Sequence, residues 1–433
     1  MQEPEPLQSA ITESVREQPA SPKGARLGAF RALRHRNFRL FFFGQLTSLV
    51  GTWMQIVAQG WLVLRLSNSP FKLGLVSFSS YVPLLLVTVF AGVVVDHVDR
   101  RRLIVITQTC LMCSAFVLAA LTWARVVRVE HIIILASFNG LVNAFDLPGR
   151  QTFLVEMVGG RREDLPNAIA LNSMTFNGAR AIGPAIAGLM LMVISESGCF
   201  FLNGISYMAV IWSLLEMDLP ARQMQRFGST MLKRVREGFS YAAHHPATLN
   251  LLIAVALIMG LGMQYSVLVP VFARNVLHGQ ARTYGFLMAA QGIGALCGAV
   301  VLSWRSHEPA QIRQHLAAGA CLLGSAIVIF GLSRWMALSV AAQMMVGAGM
   351  INYVASTNTL VQLFVSDELR GRVMSLYTMS LMGLAPLGSL EVGFIGQHLS
   401  PELAVVMAGS IALMSAAFLI SRLKIMAAAR VAH

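Results

Sequence analysis

The chain has 433 residues, 56% of them hydrophobic and only 12% charged, where soluble proteins carry roughly 25% charged residues. A mean hydropathy of +0.64 excludes a disordered chain, and glycine without a triplet period excludes collagen. Lysine and arginine outnumber the acids 33 to 20, for a net charge of +13. In a soluble protein that excess points to nucleic acid, but too few polar residues remain here to build such a surface.

A helix crossing the hydrocarbon core needs about 20 mostly apolar residues. In chain order such stretches occur near 38–64, 72–95, 103–124, 131–153, 167–193, 199–217, 247–271, 283–303, 315–333, 335–360, 373–395 and 402–421. Their Leu, Ala, Gly and Met content reads as helix, since barrel strands alternate apolar and polar residues. The expected fold is an all-α membrane protein of twelve transmembrane helices. Residues 1–35, with Glu3, Glu5, Glu13, Glu17 and several prolines, read as a largely disordered tail, and the first span serves as the insertion signal.

With the N-terminus in the cytoplasm, 24 of the 33 cations fall on cytoplasmic segments and 7 on the opposite face. Arg150 and Arg180 lie inside spans. The positive-inside rule then sets both termini in the cytoplasm of a multi-pass bacterial inner-membrane protein, and the basic excess faces membrane lipids, with no role for nucleic acid. Trp123, Trp304 and Trp335 fall at span ends, as interfacial anchors do. Cys110, Cys113, Cys199, Cys297 and Cys321 fall in or beside spans and read as buried thiols rather than metal or redox sites.

Residues 219–246 form the longest polar connection and are basic. They divide the chain into an N-terminal six-helix bundle (36–218) and a C-terminal one with a short tail (247–433). The halves echo each other at an offset of about 206 residues. Thr152-Phe-Leu-Val-Glu156 matches Thr359-Leu-Val-Gln362, and Pro184 in the fifth span loosely matches Pro386 in the eleventh. A repeat of this size with paired helix breakers marks a transporter of two pseudo-symmetric bundles.

Between the second and third spans stands Gly92-Val-Val-Val-Asp96-His97-Val98-Asp99-Arg100-Arg101-Arg102. The fifth span carries Gly178-Ala-Arg180-Ala-Ile-Gly183-Pro184-Ala-Ile-Ala-Gly188. The first resembles the G-x-x-x-D-R-x-G-R-R signature of the major facilitator superfamily, with His97 where the family has Arg or Lys and Asp99 in place of the second Gly. The second is similar to its Gly-Pro antiporter motif; small residues there admit tight packing, and Pro184 frees a carbonyl for a bend or hinge. Over residues 30–425 the chain most resembles the bacterial exporter branch, of enterobactin-exporter, macrolide-efflux-like and transmembrane secretion effector type. The resemblance implies a monomeric carrier working by alternating access, with proton antiport, in which the basic loop locks against the other half in one state.

Polar stripes at helical spacing must line a wet cavity or bond to another helix. Gln45, Ser48, Thr52, Gln55 and Gln59 form one in the first span. Asn139, Asn143, Asp146 and Arg150 form one in the fourth, and Asn352, Ser356 and Thr359 one in the tenth. Cavity lining is the favoured reading, and in the resembled fold these spans line the central path. Asp146 and Arg150, at i,i+4, are placed to pair as a structural latch. Arg180 needs a partner, for which Asp146, Glu156 or an anionic ligand qualify. Glu391, an acid with no cation near it in sequence, is either a proton carrier or an interfacial carboxylate. The first span lacks an acid, so proton coupling rests on the resemblance and on Glu391 or Asp146.

Gly292-x-Gly294 has Cys297 where a dinucleotide fingerprint needs its third Gly, and no phosphate-binding loop is present. No catalytic constellation, metal site or cofactor is expected. The expected function is export of a small amphipathic compound such as a drug, antibiotic or siderophore. A lipid translocator of the same fold and a non-transporting sensor or scaffold are the alternatives.

Overall fold

The computed structural model describes residues 30–157, 164–217, 240–241, 243–303, 309–365 and 367–431. Twelve helical spans fill the described chain. They are α1 (Arg36–Ser67), α2 (Pro70–His97), α3 (Arg100–Trp123), α4 (Val129–Met157), α5 (Leu165–Val193) and α6 (Ser195–Leu215), then α7 (Pro246–Val276), α8 (Ala281–Ser303), α9 (Pro309–Leu332), α10 (Met336–Phe364), α11 (Asp367–Met382 and Ala385–His398) and α12 (Pro401–Val431). All twelve are long and apolar enough to cross a membrane, with apolar windows of mean hydropathy 1.3 to 2.4. Local sequence sets their ends. Pro70, Pro246 and Pro386 stand in first turns, where a missing N–H costs nothing. The Ser69 and Asp99 side chains cap α2 and α3 by accepting from Lys72 N and Arg102 N. Asn68 closes α1 in the left-handed conformation.

Helix neighbours repeat pair for pair between the halves. α1 packs on α5 and α6, α3 on α4 and α6, and α2 on α4; likewise α7 packs on α11 and α12, α9 on α10 and α12, and α8 on α10. The molecule is two pseudo-symmetric six-helix bundles. They meet along two seams that are themselves equivalent, α2 with α11 and α5 with α8.

The seams are built from glycine. A Cβ added at Gly74 would come within 3.2 Å of the Gly393 Cα, and one at Gly285 within 2.6 Å of the Gly188 Cα. Small residues let backbones approach where lipid offers no hydrophobic drive. These contacts lie toward the far end of the bundle, where α1 finishes. Ser69 Oγ also donates to Gln397 Oε1 there, at 2.7 Å. Away from the far end the packing thins: a Cβ at Gly178, near the middle of α5, would meet nothing within 4 Å, and α2 barely meets the first segment of α11.

Two helices break at mid-depth. α7 leaves α-geometry after Gly260, passes through a tighter turn over Gly262–Leu268 and ends in a wide turn over Phe272–Val276. α11 breaks at Gly383 and Leu384. The breaks face one another, since Leu384 lies against Gly260, and Gly388 against Leu261. Pro184 behaves otherwise. α5 runs unbroken through it, and the Arg180 carbonyl that it frees stands against Gly292 of α8.

Other expectations need correction. Residues 31–34 of the expected tail form a helical turn fastened to α5: Arg31 Nε meets Asp164 Oδ1 at 2.7 Å, His35 Nε2 meets Oδ2 at 2.9 Å, and Ala32 N donates to Asn167 Oδ1. Cys113 and Cys297 are exposed on the helix surface instead of buried, because they fall on outward stripes of α3 and α8. Trp123 and Trp335 are exposed at the far ends of α3 and α10. The linker at 219–246, the rest of the tail and Trp304 lie mostly or wholly outside the described residues.

Candidate functional site

The loop motif between α2 and α3 holds its own bundle together. Arg100 Nη1 donates to Glu156 Oε1 of α4 at 2.7 Å, and Arg101 Nη2 to the Leu215 carbonyl at the end of α6 at 2.6 Å. A guanidinium suits a helix C-terminus, where carbonyls lack partners. Asp99 caps α3. Gly92 and Asp96 lie on α2 and His97 ends it; the side chains of Gly92 and Asp96 are outside the described residues. The arginine contacts that are described stay within the N-terminal half.

The first-span stripe divides. Gln55 Oε1 accepts from Asn203 Nδ2 of α6 at 2.6 Å, and Thr52 Oγ1 lies 3.3 Å from Tyr207 Oη of α6. These two were expected to line a cavity and instead join α1 to α6, because Gly51 draws that face of α1 onto Asn203 and Ser206. Gln45 and Ser48 are buried and Gln59 is half-buried. In α4, Asn143 donates to the Asn139 carbonyl, and in α10 Asn352 donates to the Ala348 carbonyl. The Ser356 hydroxyl is buried with no hydrogen-bond partner among the described residues.

Asp146 is fully buried. It pairs with Arg150 one turn on and accepts from Thr107 Oγ1 at 2.7 Å and Gln108 Nε2 at 2.9 Å, both from α3. The carboxylate thus has three partners, and it ties α4 to α3. Glu391 is half-buried in the second segment of α11 and makes no hydrogen bond or ion pair among the described residues.

Arg180 has no ion pair among the described residues. It sits at the middle of α5, with its guanidinium 5.6 Å from the Trp53 ring centroid of α1 and Nη1 3.3 Å from the Met350 sulfur of α10. The Trp53 ring in turn meets the edge of Phe176 at 5.9 Å. Of the carboxylates expected to serve it, Asp146 is taken by Arg150 and Glu156 by Arg100. A cation at the centre of a membrane helix costs about 2.5–3.5 kcal/mol on insertion scales. A ring face returns roughly 0.5–2 kcal/mol, and a thioether is a weak acceptor.

Sequence reasoning missed several pairs that fix helix ends. Arg65 Nε meets Glu196 Oε1 at 3.0 Å, and Arg334 Nη1 meets Glu402 Oε1 at 2.7 Å. Glu196 and Glu402 both stand in first turns, of α6 and α12, and they are related by the same repeat offset. That offset was the available signal. Nothing in the linear sequence joined Tyr265 to Gln343, whose side chains bond at 2.7 Å across α7 and α10.

The family model described as "Transmembrane secretion effector" matches residues 27–432. The chain belongs to that family. It is similar to the Staphyloferrin A transporter of Staphylococcus aureus, at 28% identity over 81% of this chain and 87% of that one. It is also similar to the multidrug efflux pump Tap of Mycolicibacterium fortuitum (26%; 82% and 88%) and the enterobactin exporter EntS of Escherichia coli (24%; 85% and 87%). A mutant of the nucleoside transporter NupG superposes with a TM-score of 0.72 at 13% identity, covering 89% of this chain and 99% of that one. A bacterial homologue of the lysosomal transporter Spinster, inward-facing and unoccupied, gives 0.64 at 13% identity, covering 92% and 96%. Membership places the chain among major facilitator transporters of small molecules, and the structural neighbours share its fold.

Proposed function

We propose that the protein is a secondary active exporter of a small amphipathic compound of the siderophore or drug type, working by alternating access. One observation carries this reading. Both inter-bundle seams hold the far end, while α2 packs closely on the second, far segment of α11 and barely meets its first, near segment, and a Cβ at Gly178 of α5 would meet nothing. A path closed at one end and parted at the other is one of the two states such a carrier visits. The positive-inside count puts the near end in the cytoplasm, so this is the inward-open state of a plasma-membrane protein with both termini inside. The names of the family's relatives support export of siderophores or drugs. In this reading the bundles, residues 36–218 and 247–433, rock as units joined by the linker at 219–246. The motif arginines brace the N-terminal unit from within, and the protein acts as a monomeric carrier, not an enzyme.

Proton antiport is part of the same proposal. Asp146 is held by three partners, whereas Glu391 has none among the described residues, which favours Glu391 as the proton carrier. The test is proton-driven uptake into everted membrane vesicles, using solutes to which a deletion strain becomes sensitive. Wild type is expected to accumulate the solute and collapse a pH gradient, and Glu391→Gln to lose the coupling. Full proton-driven uptake by both Glu391→Gln and Asp146→Asn would refute antiport through either acid. No gradient-dependent movement of any solute would refute transport itself.

A further inference from the structure

Among the described residues the Arg180 guanidinium meets a ring face and a thioether, and no carboxylate. Four helices bring their middle residues to it: Trp53 of α1, Arg180 itself with Phe176 on α5, Gly292 of α8 against the Arg180 carbonyl, and Met350 of α10. Tyr81 of α2 and Tyr265, in the unwound stretch of α7, are near enough to feel its charge. The Tyr265 hydroxyl donates to Gln343 Oε1, and the amide nitrogens of Gln343 and of Gln291, the residue before Gly292, are buried with no acceptor among the described residues. A guanidinium offers five N–H donors in a planar fork that matches an oxyanion. The two acids expected to serve it, Asp146 and Glu156, are engaged by Arg150 and Arg100.

We infer that Arg180 is the anion-binding centre of the transport path, and that the carried solute is an amphipathic organic oxyanion. Its carboxylate or phosphate oxygens engage Arg180, and its apolar or aromatic part lies against Trp53 and Phe176. This rests on the transporter reading and narrows it: the charge that recruits an oxyanion repels an apolar cation. Arg180 and Met350 belong to opposite bundles, so an oxyanion that takes Nη1 from the Met350 sulfur alters a contact across the moving interface.

The test is calorimetric titration of the full chain in phosphatidylcholine nanodiscs. The probes are citrate and 2-naphthoate as soluble carboxylates, lysophosphatidylglycerol as a lipid oxyanion, and tetraphenylphosphonium as an apolar cation. At least one oxyanion is expected to bind wild type, to bind Arg180→Gln at least about tenfold more weakly, and to recover in part with Arg180→Lys. Trp53→Phe, which keeps the charge, should weaken 2-naphthoate more than citrate. Tetraphenylphosphonium should bind Arg180→Gln no more weakly than wild type. Binding of a carboxylate identifies a soluble organic acid as the solute class, and binding of lysophosphatidylglycerol alone identifies a lipid headgroup. Equal oxyanion binding by wild type and Arg180→Gln, or none by wild type, overturns the inference. Gradient-driven transport of tetraphenylphosphonium without oxyanion binding would remove the anion site and leave the carrier standing. Arg180-dependent binding with no transport of any solute would do the reverse.

Discussion

Asp146 is balanced within its own half, whereas Arg180 meets a residue of the opposite half, and the difference separates a structural charge from a candidate functional one. Asp146, with Arg150, Thr107 and Gln108 around it, is a balanced group. Removing one member of a buried pair costs about 3–5 kcal/mol, because the other charge is stranded. A hydrogen bond between membrane helices, such as that of Gln55 with Asn203, averages only about 0.6 kcal/mol. Asp146→Ala should therefore lower the melting temperature of the purified protein far more than Gln55→Leu. Equal losses in thermal unfolding would show that the Asp146 cluster is not the stronger tie. The i,i+4 spacing made the Asp146–Arg150 pair legible from sequence alone. The engagement of Glu156 by Arg100 was not, since it depends on how α3 lies beside α4. Arg180 was visible as an oddity, but its lack of a carboxylate among the described residues follows from how Asp146 and Glu156 are engaged by other arginines in three dimensions.

At the scale of single helices, periodicity and length located all twelve spans, because an apolar run of membrane length has one low-energy fate in lipid. The breaks in α7 and α11 were harder to read. Proline 386 marked a neighbourhood, yet the discontinuity lies before it, at Gly383 and Leu384, where α11 meets the break in α7. Such a break is a tertiary event, with each helix supplying what the other needs. Pro184 shows the opposite case: the same residue type leaves α5 continuous because Gly292 of α8 covers the freed carbonyl. Seam glycines make a sharper expectation. Gly285→Ala places a Cβ within 2.6 Å of the Gly188 Cα, so it should lower thermal stability and loosen the far end. Gly178→Ala meets open space there and gains helix propensity, up to roughly 1 kcal/mol in an ordinary helix, so its melting temperature should hold or rise. The reverse order in paired thermal melts would mean that the α5–α8 seam is wrongly placed. The structural turn before α1 offers another check. Asp164→Asn loses its pairing with Arg31, and hydrogen exchange of residues 31–34 should quicken without change in α3 or α4. Unchanged exchange there would show that the clamp does not hold the turn.

For the whole molecule, the pairing of helices repeats so closely between halves that the seams themselves become equivalent, α2 with α11 and α5 with α8. In the proposed carrier that equivalence would supply an axis about which the two bundles rock, with glycine at the seams letting the packed surfaces part and re-form. The excess of 33 cations over 20 acids, which in a soluble protein would have pointed to nucleic acid, is expected to set orientation instead. The cysteines bear on how this is tested: among the described residues all five are free, so a variant without them is required. In that background, Ser69→Cys with Gln397→Cys places thiols where the two side chains now touch at the far end. A short bifunctional thiol reagent should link the bundles in the resting protein, abolish gradient-driven transport in everted vesicles, and release it when a cleavable reagent is reduced. Cross-linked protein that transports at the full rate would contradict alternating access through the far end.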